Sequence, residues 1–286
     1  MSAAAATPPA PRPRVAVVGH VEWLDFARVE RLPVAGEIVT ASDAFELAAG
    51  GGAVAAVQLR KLAGAALFLT AVGNDERGRR AVAELRETHG LELHAAVRPR
   101  PQRRAFTHVD AAAERTITVL GERLVPHGED PLPWEQLAGV DGVYLTGGDG
   151  AAARAARTAR LLVATTRAAD AVLAGGVVPD VLVASGRDEK ERAGLAALPT
   201  PRFTLLTDGA RGGRWQAADG SDGSWSAVPL PTAPVDAYGC GDSFVAGLTY
   251  GLAAAMDLPD ALALAARCGA HCITGSGPYS GQLALD

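Results

Sequence analysis

Lysine is nearly missing from this 286-residue chain: of its 27 basic residues only Lys61 and Lys190 are lysines, and the rest are arginines. The scarcity excludes whole classes of chemistry. A Walker A loop needs Gly-Lys followed by Ser or Thr, but Lys61 follows Arg60 and Lys190 follows Glu189. A protein-kinase core needs a strand lysine and a His-Arg-Asp loop, and neither occurs. Asparagine is scarcer still, with Asn74 alone. Alanine, glycine and arginine are abundant, which points to a coding bias. A missing Lys or Asn therefore says less about lost function than it usually would.

Cysteine is also rare. Cys240, Cys268 and Cys272 argue against a disulfide framework and suit a reducing cytoplasm. Cys268 and Cys272 bracket His271, but small residues packing on an Ala-rich helix is the preferred reading over a metal site. No apolar run reaches the length of a membrane span. The net charge of −5 gives no general pull on nucleic acid or an anionic membrane, so neither is expected as a partner. Met1 to Pro13 is mostly Ala and Pro without the pattern of a signal peptide, and residues 1–13 read as a disordered tail.

What remains, 14–286, reads as a single soluble α/β domain with a doubly wound, mostly parallel sheet flanked by helices and a small β lid. Arg14–Gly19 is a Val-rich run ending in Gly, a buried first strand. His20 follows Gly19, so no dinucleotide-binding Gly-x-Gly-x-x-Gly stands there. Further strands are expected at Ala65–Val72, Gly142–Leu145, Ala171–Leu173, Val181–Val183 and Phe203–Thr207. Helices are expected from Gly50-Gly51-Gly52 to about Leu62 and over Gly78–Glu87, Ala151–Thr166 and Asp188–Leu198. Short alternating stretches at about 31–47 and a hairpin at about 104–120 form the expected lid.

The strongest chemical feature is Asp236-Ala237-Tyr238-Gly239-Cys240-Gly241-Asp242-Ser243-Phe244, followed by an Ala/Gly-rich helix. Backbone N–H groups at such a helix start form an anion site, helped by the helix dipole. Glycines let an anion approach the backbone without Cβ interference. Asp242 then stands where it could accept a proton from an attacking hydroxyl. The plain structural reading is an Asp N-cap after a glycine turn.

This string resembles the C-terminal motif of the ribokinase (PfkB-type) carbohydrate kinase family, Asp-Thr-Thr-Gly-Ala-Gly-Asp-Ser-Phe. Gly50-Gly51-Gly52, Gly73-Asn74-Asp75, Glu114-Arg115-Thr116-Ile117, Asp188-Glu189-Lys190-Glu191 and Thr207-Asp208-Gly209-Ala210-Arg211-Gly212 resemble further family elements in order. The resemblance implies an ATP-dependent small-molecule kinase with Asp242 as base and the Gly239, Cys240 and Gly241 N–H groups as anion hole. It implies that Thr207, Gly209, Gly212 and Arg267 line the ATP site. It implies that Asp188 and Glu191 organise Mg²⁺ through water, although from the residues alone a solvated charged helix start is the preferred reading. Asp236 would support the anion hole directly or through a monovalent cation, and a turn-stabilising Asp is an equal reading. His20, Glu22, Asp25, Gly50, Gly51 and Arg104 are the acceptor-site candidates, with Arg103 or Arg104 proposed to grip an acidic acceptor. A solvated basic loop is the plainer account of those arginines.

Two departures matter. Leu24 stands where the family holds a sugar-binding Asp, and Val54 or Ala55 where it holds an Asn. A missing polar partner weakens binding of a buried hydroxyl. The acceptor is therefore expected to differ from ribose held in the usual way. A vitamin-like hydroxyl acceptor, or a protein that keeps the fold as a ligand-binding or regulatory module without catalysis, remain open at this point. A homodimer through the lid is also expected, because an isolated small sheet leaves one face uncovered.

Overall fold

The computed structural model describes residues 12–285, so the expected tail lies, up to residue 11, outside the described residues. In chain order the first half holds β1 (Val15–Val18), β2 (Glu22–Arg28), β3 (Asp43–Ala49), α1 (Gly51–Ala63), β4 (Leu67–Gly73), α2 (Glu76–Ala83), β5 (Glu92–Arg98), β6 (Arg104–Val109), β7 (Arg115–Leu120) and β8 (Gly142–Leu145). The second half holds α3 (Gly150–Ala156), β9 (Leu162–Thr165), α4 (Ala169–Gly175), β10 (Val181–Ser185), α5 (Glu189–Gly194), β11 (Phe203–Thr207), β12 (Gly213–Ala217), β13 (Asp222–Trp225), α6 (Cys240–Ala253), α7 (Leu258–Cys272) and α8 (Gly277–Ser280).

Nine strands form one sheet in the order β13-β12-β11-β10-β9-β8-β1-β4-β5. Its pairs from β11 to β5 are parallel, and β12 and β13 add an antiparallel margin. The period-two rule is visible in β1. Val15 and Val17 face the core shared with α1, α6 and α7, whereas Ala16 and Val18 face the core shared with α3 and α4. Burial on both faces is why the run reads as continuously apolar.

Close helix packing around the site depends on small residues. A Cβ at Gly247 would stand 2.7 Å from Cys268 Sγ, and one at Gly251 3.0 Å from Ala261. Cys268 and Cys272 are fully buried packing residues.

Four strands form a second sheet in the order β3-β2-β6-β7. The expected lid hairpin is β6 and β7. The other pair differs from expectation: within 31–47 only the part from Asp43 is strand, and its partner is β2, directly after the first strand. The intervening Pro33 and Gly36 break the alternation.

Two further expectations are corrected. The helix expected over Ala151–Thr166 ends at Ala156, and Leu162–Thr165 is β9. Leu162, Val163 and Ala164 are fully buried between β8 and β10, so sheet burial overrides the helical propensity of the Ala/Arg-rich flank. The strand expected at Ala171–Leu173 lies inside α4, which buries Ala171 and Val172, exposes Leu173 and ends on left-handed Gly176. Strands β5, β12 and β13 lie where the sequence pattern gives no strand expectation.

Candidate active site

The Gly239–Asp242 string forms the start of α6. Gly239 is the N-cap residue with φ of 82°, a left-handed conformation that favours glycine. Asp242 lies in the first turn and makes no cap hydrogen bond, so the plain capping role is absent. Space in front of Gly241 is open: nothing would lie within 4 Å of an added Cβ. Gly241 is exposed, so the first turn of α6 borders open space.

The start of α1 meets the start of α6 there. A Cβ at Gly51 would stand 2.7 Å from Asp242 Oδ1 and 3.5 Å from the His20 ring. One at Gly52 would collide with the His20 backbone at 2.7 Å, and one at Gly50 with Glu22 N at 2.9 Å. The three glycines let β1, α1 and α6 converge on Asp242. Gly50 N–H donates to the buried Tyr238 hydroxyl at 3.2 Å, linking the two glycine segments.

Around Asp242 lies a ring of charge. Arg167 Nη1 is 3.4 Å from Asp242 Oδ1, and Arg167 Nε is 3.3 Å from Glu191 Oε1. Asp242 raises the Arg167 pKa above its ordinary value. Glu191 Oε2 accepts Ser185 N–H at 2.8 Å and the Thr166 hydroxyl at 3.3 Å, which fixes it at the β9–β10 end of the sheet. Arg123 donates to the Arg167 carbonyl at 2.9 Å, to the Thr146 carbonyl and to His20 Nδ1 at 2.9 Å. That contact leaves His20 Nε2 to carry the proton, 3.8 Å from Glu22 Oε1. Burial, then Arg123, Arg103 and Arg167, hold the His20 pKa well below 6.5, so the ring is neutral. Arg103 Nε stands 2.7 Å from Glu22 Oε1, while burial pushes the Glu22 carboxyl pKa upward.

Asp188 Oδ1 caps α5, accepting from Lys190 N at 2.9 Å and Glu191 N at 3.2 Å. Asp188 is exposed, and its cap places Glu191 one turn inward toward Arg167. Beyond Glu191, along the carboxyl ends of β10 and β11, a cavity of about 550 Å³ is lined by Gly186, Thr207 and four arginines, Arg187, Arg192, Arg211 and Arg214. Gly209 and Gly212 shape the loop that closes it, both with positive φ. Arg267 is exposed on α7 and lies outside this lining.

Asp236 is fully buried. Its Oδ1 accepts Tyr238 N–H at 2.8 Å and its Oδ2 accepts Gly277 N–H at 2.9 Å. The flanking carbonyls of Val235 and Ala237 accept from Arg28 and Arg115 of the small sheet. With both carboxylate oxygens and both carbonyls engaged by protein donors, this donor set fits a brace under the Gly239–Gly241 turn better than a monovalent cation site.

Asp25 and Arg104 are not brought into the ring. They pair with each other at 2.8 Å, on the face of the small sheet that also carries Trp23, opposite Glu22. Trp23 is a core residue, with Arg80 over its ring at 4.4 Å. Arg103 is the one of the adjacent arginines that reaches Glu22. Arg123 and Arg167 belong to the ring without any local sequence signal, because arginine is so common here that a single one stands out nowhere. Leu24, and both Val54 and Ala55 at the second departed position, are fully buried.

The sequence matches the family model described as pfkB family carbohydrate kinase over residues 12–202 and 181–284. Among solved structures, a putative ribokinase from Agrobacterium tumefaciens has a TM-score of 0.78 at 21% identity, covering 96% of this chain and 95% of that one. Arabidopsis thaliana ribokinase complexed with ribose and ATP has a TM-score of 0.73 at 18% identity, covering 95% and 96%. At such identities the likeness speaks for the fold. A stretch of 55 residues is 40% identical to fructoselysine 6-kinase of Escherichia coli, spanning 19% of this chain and 21% of that protein.

Proposed function

Because the chain belongs to the pfkB family of carbohydrate kinases, we propose that it transfers the γ-phosphoryl group of ATP to a hydroxyl of a sugar or related small metabolite. The observation that carries this reading is the Asp242 carboxylate at the open start of α6, between Arg167 and the α1 glycines. In this reading Asp242 accepts the acceptor's hydroxyl proton as its oxygen attacks the γ-phosphorus. The bond from phosphorus to the bridging oxygen breaks, and ADP departs with the electron pair. The Gly239, Cys240 and Gly241 N–H groups stabilise the charge on the transferred group. Arg167, paired with Asp242 at rest, swings its guanidinium toward that group.

The cavity with Arg187, Arg192, Arg211 and Arg214 suits the nucleotide and its phosphates. Among the described residues no cluster of three metal-ligating side chains occurs. Mg²⁺ would be held chiefly by phosphate oxygens and water, with Glu191 and Asp188 in its outer shell. When bound, Mg²⁺ would neutralise charge on the β- and γ-phosphates. The small sheet would act as the lid over the acceptor. The sheet exposes Phe106 and Leu120 on one face and Ile117 and Val119 on the other, along its edge strand β7, which supports a homodimer formed there.

A second reading, a ligand-binding protein without turnover, is favoured by the buried apolar Leu24 and Val54 at acceptor positions. The same assay separates the two. Purified protein with Mg²⁺ and ATP is offered a panel of sugars, sugar acids, sugar phosphates and nucleosides. Acceptor-dependent ADP release with a phosphorylated product supports the kinase. Nucleotide and acceptor binding without product supports the second reading.

A further inference from the structure

Charge on the acceptor side of Asp242 is unbalanced. The carboxyl ends of β11 and β10 border the arginine-lined cavity, those of β10 and β9 carry Glu191 and Arg167, and those of β8 and β1 carry Thr146 and His20. Arg123 stands at the last position, on the far side of Arg167 from the nucleotide cavity. In open α/β sheets ligands bind outside the carboxyl ends of strands, and here that edge is divided between two ligands.

On this acceptor side one carboxylate, Glu22, faces two guanidinium groups, and it lies 2.7 Å from Arg103. The His20 ring adds no charge. Among the described residues Arg123 forms no ion pair: its partners are two carbonyls and a neutral imidazole. Burial and the cations Arg167 and Arg103 lower the Arg123 pKa to about 10. A half-buried cation without a counter-ion is expensive. Its hydrogen bonds fix the guanidinium in place, so little ordering remains for a ligand to bring about.

We infer that the acceptor carries an acid group, a carboxylate or a phosphate monoester, and that Arg123 with Arg103 holds it while its hydroxyl faces Asp242. This substrate class rests on the kinase reading. It also accounts for the departed positions: an acceptor held by two guanidinium groups has less need of the hydroxyl partners that Leu24 and Val54 do not supply. Arg103 is released from Glu22 as the acid group arrives. His20 stays neutral and accepts from Arg123, so it orients the fork without adding charge.

The test uses the full chain with Mg²⁺ and a non-hydrolysable ATP analogue at saturation, which fills the nucleotide side. Thermal unfolding is then followed against inorganic phosphate and against D-glycerate, each compared with sodium chloride of equal ionic strength. Wild-type protein should gain about 3 °C at an anion concentration near ten times its Kd. Arg123→Gln and Arg103→Gln should weaken that response at least about tenfold in anion concentration while keeping the shift caused by the ATP analogue. A response to phosphate alone indicates a phosphorylated acceptor, and a response to glycerate indicates a sugar acid. Equal anion responses in wild type and variants, or none in wild type, overturn the inference. If Arg123→Gln fails to fold, Arg103→Gln carries the test. Loss of the ATP-analogue shift in wild type itself would instead count against the kinase reading, and is read separately.

Discussion

Gly51 and Asp242 are in contact: a single methyl group added to Gly51 would stand 2.7 Å from Asp242 Oδ1. The two residues begin different helices, yet the space for the Asp242 carboxylate exists only because residue 51 has no side chain. Gly51→Ala should therefore move the carboxylate by a fraction of an ångström to an ångström. Misplacement of that size costs about 10²-fold in kcat. Stability should hold or rise, since Ala favours a helix over Gly by about 1 kcal/mol. Steady-state kinetics with a thermal melt checks both. Unchanged kcat would remove the geometric constraint from the account.

Arg167 joins the two sides of the site, touching Asp242 and Glu191 at once. Its side chain is 44% exposed, so its ion pairs contribute little to folding. Arg167→Met should lower kcat by about 10²–10³-fold, the scale for losing one donor to transition-state charge. Acceptor KM should change far less, and the melting temperature by less than about 2 °C. A rise in KM at constant kcat would make Arg167 a binding group instead.

Acid should destabilise the fold through a site remote from the chemistry. The His89 ring packs at a 50° tilt against Tyr279, with ring centroids 4.2 Å apart. Burial, then Lys61 and Arg60, lower its pKa from 6.5 to about 4. Below pH 6.5 the unfolded chain takes up a proton that the folded protein refuses, so stability falls from pH 6.5 down to about 4 and levels off beneath. Full linkage amounts to about 3 kcal/mol, and partial solvent access to the ring reduces it to about 1–2 kcal/mol. Urea unfolding at pH 7 and pH 5 should show wild type losing more stability than His89→Gln. His20 shifts the same way in both proteins and cancels in the comparison. Equal losses would contradict the assignment to His89.

How far the sequence alone reaches can be followed residue by residue. Val15–Val18 is legible as a buried strand because both faces are apolar, and Gly239–Asp242 because its glycines have few other uses before a helix. Leu162–Thr165 is not legible, because an Ala/Arg-rich flank masks a strand that only its neighbours β8 and β10 demand. The ring around Asp242 is half legible. His20, Glu22 and Gly51 follow from their place after β1 and before α1. Arg123 and Arg167 do not, since they reach the site from irregular segments and differ from the other arginines only in three dimensions. The choice between Arg103 and Arg104 turns on strand pleat, because adjacent residues of an extended chain point to opposite faces.

The central claim is that the Asp242 carboxylate takes the acceptor's proton. Asp242→Asn keeps size and removes the base. With an acceptor identified from the panel, single-turnover phosphorylation should fall by at least about 10³-fold. Binding of the ATP analogue, read by thermal shift, should stay within about threefold of wild type. Near-normal turnover in Asp242→Asn would contradict the account.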